Sequence, residues 1–62
     1  MTVAQKLKAM ADLVEDCEYN FDSYSKCAND ETNSESTREY YAYKAELYKA
    51  MRETILSKAS KL

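Results

Sequence analysis

The 62-residue chain contains no glycine and no proline. Tight hairpin turns, β-bulges and phosphate-cradling loops depend on glycine at positive φ, so glycine-rich nucleotide motifs are excluded. Histidine and tryptophan are missing too. Without histidine the usual general base near neutral pH is gone. Two cysteines are too few for a structural zinc site, and they fit a reducing compartment at least as well as an oxidising one. No apolar run approaches a membrane span, and the N-terminus lacks the apolar stretch and small-residue cleavage site of a signal peptide. Thr2 stands where myristoylation needs glycine, and the C-terminus has no prenylation cysteine. The expected location is cytoplasmic, with no membrane partner and no cofactor.

So short a chain is one domain at most, residues 1–62. A domain of this size buries only about 60% of the surface its unfolded form exposes. Small scaffolds compensate with disulfides, metals, oligomerisation or very regular helix packing. With the first two lacking support, oligomerisation is the leading route.

The residues that are abundant favour helix: alanine, lysine, glutamate and leucine, with tyrosine, serine and threonine as weaker formers. The organising stretch is Val3, Leu7, Met10, Val14, Cys17, Phe21, Tyr24 and Ala28, spaced alternately by four and three. This spacing predicts a long helix with one continuous apolar seam, over about 3–29. Thr2 with Gln5 fits a capping box at its start. Ala9, Leu13 and Cys27 widen the seam on one side.

A polar connection follows, rich in asparagine, aspartate, serine and threonine, which compete with helical backbone bonds. Asn29 or Asn33 is expected to take the left-handed conformation that glycine usually supplies. Thr32 with Glu35 and Ser36 with Glu39 both fit the next capping box. Ser36 is favoured, because an earlier start adds a wholly polar first turn.

The second helix is expected over about 36–61, with a seam of Tyr41, Lys44, Tyr48, Met51, Ile55, Lys58 and Leu62, flanked by Tyr40, Leu47 and Ala59. Its two lysines read as register-fixing devices, either of them able to meet Glu18. Two helices of similar length and a short connection make an antiparallel hairpin, an all-α fold. The expected packing set is Val3, Leu7, Met10, Val14, Cys17, Phe21, Tyr24, Tyr41, Leu47, Tyr48, Met51 and Ile55. The apolar arc of the second helix, from Tyr43 through Leu47 and Met51 to Tyr41, is wider than one partner helix covers. The expectation is a homodimer, two hairpins forming a twofold four-helix bundle.

Net charge is −2 but unevenly spread. Residues 1–31 hold three basic and seven acidic residues, a balance of −4, and residues 32–62 hold six basic and four acidic, a balance of +2. Complementary charge along packed helices sets their orientation. Pairs of carboxylates one turn apart, such as Asp12 with Asp16 and Glu18 with Asp22, face water, which screens the mutual repulsion that acid–base work needs. A rigid helix also lacks the loop carbonyls of calcium sites. No enzymatic activity and no metal are expected.

Cys17 lies in the seam as a small apolar group, and Cys27 on its flank. They stand about 15 Å apart along one helix, too far to bond to each other. Of six tyrosines, Tyr24, Tyr41 and Tyr48 fall in seams, while Tyr19 projects among carboxylates. The candidate partner-binding face is therefore Asp12, Glu15, Asp16, Tyr19 and Asp22, on the reverse of the first helix.

The leading functional reading is a non-enzymatic protein-interaction module: a regulator, inhibitor or assembly adaptor with an unidentified protein partner. Second is an acidic mimic of a nucleic-acid backbone that blocks a nucleic-acid-binding protein. Third is a nucleic-acid binder using Lys44, Lys49, Arg52 and Lys58, disfavoured because Glu46 and Glu53 interrupt that basic surface.

Overall fold

In a computed structural model describing residues 1–62, helix α1 spans Val3–Ala28 and helix α2 spans Glu35–Ala59. The two pack along their length as an antiparallel hairpin measuring 47 × 15 × 13 Å. No helix is long and apolar enough to cross a membrane.

The start of α1 is fixed by a reciprocal pair of bonds. Gln5 N–H donates to Thr2 Oγ1 at 3.1 Å, and Thr2 N–H donates to Gln5 Oε1 at 2.9 Å. Two of the four orphan amides at a helix N-terminus are satisfied in this way. The helix ends one residue earlier than the periodicity suggests, with Asn29 as C-cap at φ −93°, ψ 0°.

The turn departs from the sequence expectation in a second respect, since no residue of the chain has positive φ. Neither Asn29 nor Asn33 is left-handed, and side chains close the turn instead. Asn33 Nδ2 donates to the Cys27 carbonyl at 3.1 Å. The Asp30 carboxylate accepts from the Thr32 hydroxyl at 2.7 Å and the Thr32 amide at 3.0 Å. These bonds, the hydroxyl's first, hold the Asp30 carboxyl below its ordinary pKa.

The cap of α2 is Ser34, not Ser36, and the helix begins at Glu35. Ser34 Oγ accepts from the Thr37 amide at 3.3 Å and donates to Thr37 Oγ1 at 2.9 Å. The polar first turn that argued against an early start has a use. From it Arg38 Nε donates to the Ala28 carbonyl at 2.9 Å, satisfying an end of α1 that would otherwise lack a partner. At its far end α2 stops at Ala59 rather than 61. Ser34→Ala should therefore cost about 1 kcal/mol and Ser36→Ala only a few tenths, as measured by thermal unfolding. Equal losses would place the cap elsewhere.

The seam of α1 is where the spacing puts it. Met10, Val14, Phe21, Tyr24 and Ala28 are half-buried, and Cys17 is buried at 3% exposure. The seam of α2 has a different phase from the one expected. Its buried and half-buried residues include Arg38, Tyr41, Ala45, Tyr48, Arg52, Ile55 and Ala59, a strict alternation of three and four, with Thr37 and Lys44 half-buried beside them. Ala45 (5% exposed) replaces Lys44, Arg52 replaces Met51, and Ala59 replaces Lys58. Small side chains at Ala45 and Ala59 let the two helices approach, while Lys44 and Lys58 move to the margin.

Four members of the expected packing set lie outside the hairpin core. Leu47 and Met51 are 45% and 50% exposed, and Val3 and Leu7 are also exposed. In a rod this thin, only Cys17 and Ala45 are fully enclosed. The radius of gyration is 14.4 Å, against about 10.5 Å for a compact domain of this length.

Candidate functional site: two unlike faces

Residues seven apart run along one line of a supercoiled helix, so each flank of the hairpin can be followed from end to end. On one face, Glu18, Phe21, Asp22, Lys49 and Arg52 surround a groove between the helices. That groove continues towards the open end past Leu7, Ala11, Val14, Leu56 and Ala59. Towards the turn it meets Ala28, Glu35, Arg38, Glu39 and Ala42. Arg52 Nε donates to Glu18 Oε1 at 2.9 Å, joining the helices. Arg52, and neither seam lysine, is therefore the partner of Glu18. Both side chains are substantially exposed, so this ion pair contributes at most about 1 kcal/mol.

The opposite face is aromatic and aliphatic. The Tyr24 ring lies 5.7 Å from Tyr41 and 5.7 Å from Tyr48, stacked on both, while Tyr40 meets Tyr41 edge-on at 5.6 Å. Lys44 Nζ sits 4.7 Å from the Tyr24 ring centre and 5.3 Å from that of Tyr40. The nearby Tyr24 side chain first and that of Tyr40 second raise the Lys44 ammonium above its ordinary pKa. Further along, Leu47, Ala50, Met51, Thr54 and Ile55 form an apolar surface. By its spacing from Asn20 and Cys27, which are both half-buried, Leu13 borders the same face on α1.

The candidate partner face lies on the back of α1, where Asp12, Glu15, Asp16, Tyr19 and Asp22 are all exposed, Tyr19 at 74%. The five do not form one cluster. Asp12 pairs with Lys8 at 3.3 Å, and the Asp16 carbonyl accepts from Asn20 Nδ2 at 2.9 Å. Asp22 instead lines the charged groove with Glu18 and Lys49. Tyr19 packs on no other ring.

Nowhere do three or more cysteine, aspartate and glutamate side chains come together in a way that could hold a metal ion. Both cysteines are free thiols, Cys17 buried and Cys27 half-buried. Of the four cations considered for nucleic-acid binding, Lys44 lies over tyrosine rings and Arg52 is paired with Glu18. Sequence reasoning missed the charged middle of the groove, where Glu18, Asp22, Lys49 and Arg52 meet, because reading it requires the correct phase of α2. Comparison with protein-family models, with curated proteins and with solved structures finds no match to this chain.

Proposed function

We propose that the protein is a non-enzymatic interaction module that self-associates into a helical bundle and binds another protein through the back of α1. The carrying observation is that a chain of 62 residues buries only Cys17 and Ala45. Hydrophobic burial is the main favourable term in folding, and a lone hairpin secures little of it. A bundle of two hairpins supplies the missing burial and leaves the back of α1 facing water.

On that back, an exposed tyrosine among carboxylates suits a protein partner, since tyrosine supplies large contact area at low entropic cost and is enriched in binding hot spots. The nucleic-acid-mimic reading gains less support. Lys8, Lys49 and Arg52 interrupt the carboxylates along α1 and the adjoining groove, weakening the field a basic groove would follow.

Alanine at Asp12, Glu15, Asp16 and Tyr19 together is expected to leave helical content and self-association unchanged. The same variant should lose at least tenfold in capture of the partner from a native lysate, read by quantitative mass spectrometry against the wild-type chain. Equal capture by both would move the binding site off this face. Capture that instead collapses with rising salt would favour the nucleic-acid-mimic reading.

A further inference from the structure

The exposed surface of the hairpin is 4867 Å². A compact chain of the same mass exposes about 4,100 Å². The excess of roughly 750 Å² is close to the roughly 800 Å² that each partner contributes to a standard stable interface. One further docking event of ordinary size would therefore bring this chain to the exposure of a typical folded domain.

The two faces differ in how well they would take it. Across the charged groove, Glu18, Asp22, Glu35 and Glu39 line the surface beside Arg38, Lys49 and Arg52. Covering its middle and turn end would strip water from many ionised groups, at a cost that ion pairing repays poorly; only its open end, from Leu7 to Leu56, is apolar. The aromatic face carries no carboxylate along its middle. Its central surface is Leu47, Ala50, Met51, Thr54 and Ile55. Lys44 on this face is held over the Tyr24 and Tyr40 rings, and Lys58 and Lys61 lie at its open end beside Ala50 and Thr54.

We propose that a second copy of this chain docks on the Leu47–Met51 face, burying it against the same face of its mate, and that the charged groove stays in water. The inference rests on the self-association proposed above and names the surface that carries it. The interface is isologous: Leu47 and Met51 of each chain enter it, the tyrosine stack borders it at the turn end, and Tyr19 remains outside. A second copy fits this face, because its large exposed side chains Tyr40, Leu47 and Met51 are apolar or aromatic and the area required matches the chain's own excess.

Two measurements test this. Sedimentation equilibrium should show the wild-type chain as a dimer at tens of micromolar. Leu47→Glu with Met51→Glu should raise the dissociation constant at least 100-fold, while Ala42→Glu in the charged groove should leave it within about threefold. In the unaltered chain, oxidative footprinting should find Met51 protected as concentration rises through the dimerisation range, with Met1 and Tyr19 labelled throughout. A wild-type dimer whose Met51 labels equally at all concentrations, or one that the double substitution leaves intact, would overturn the choice of face and leave self-association standing. A helical wild-type chain that stays monomeric at hundreds of micromolar would overturn both. Should the double variant lose its helices, the footprint of the wild-type chain still decides.

Discussion

Tyr24→Ala is expected to destabilise the protein by about 2 kcal/mol, the larger share of which comes from packing rather than from the hydroxyl. Tyr24 is the one ring of α1 that reaches both Tyr41 and Tyr48, at 5.7 Å each, and it also lies beneath Lys44. Truncating an enclosed aromatic typically costs about 3–5 kcal/mol. Tyr24 is only half-buried, which lowers the figure. Against the roughly 3–9 kcal/mol expected for a domain of this length, the loss is severe. The midpoint of thermal unfolding should fall by about 10 °C, compared at equal chain concentration. Tyr24→Phe separates the contributions. It keeps both stacked contacts and removes only the hydroxyl near Lys44, so it should cost about 1 kcal/mol or less. If Tyr24→Phe proves as damaging as Tyr24→Ala, the hydroxyl dominates and the stacking argument fails.

Ala45→Leu should cost about 1–3 kcal/mol through overpacking. Ala45 lies one turn from Tyr41 on one side and from Tyr48 on the other, and Tyr24 stacks on both of those rings. A branched side chain at this buried position finds little free space between the packed helices. Leucine has a good helix propensity, so a loss of stability cannot be assigned to the backbone. The same change at Ala42 or Ala50, both exposed, should fall within about 0.5 kcal/mol. A chemical denaturation series on the three variants checks the contrast. Tolerance of leucine at Ala45 would mean that the helices can separate there without penalty, and the seam phase would need redrawing.

That phase marks the limit of what the sequence conveyed. In α1 nearly every seam position is apolar, so Val3 to Ala28 can be read in only one way, and Cys17 falls inside as the spacing requires. In α2 the steps of three and four admit two phases. One contains Lys44, Met51 and Lys58, and the other contains Ala45, Arg52 and Ala59. Hydrophobicity favours the first because methionine outranks arginine. Geometry selects the second because alanine permits close approach and Arg52 finds Glu18 at 2.9 Å, a contact between residues far apart in the chain. Local pattern carries no information about such a pair.

The turn shows the same limit on a smaller scale. A chain without glycine was expected to use asparagine in a left-handed role, yet Asn33 and Arg38 close the turn by donating to the carbonyls of Cys27 and Ala28. Those bonds join residues brought together only after the helices pair. The exposed back of α1, by contrast, was readable from periodicity alone. A surface residue needs no partner to define its place, and Tyr19 lies where its spacing puts it.

The short closed turn also sets the order in which the protein assembles. Closing a loop of about ten residues takes about 10–100 ns, and a helix of about twenty residues forms within about a microsecond. Residues 29–34 tie the two helices together, so each finds its neighbour at a rate independent of how much protein is present. Docking of two hairpins has no such tether. In the bundle proposed here, refolding therefore divides into a microsecond phase insensitive to dilution and a later phase whose half-time lengthens as the protein is diluted.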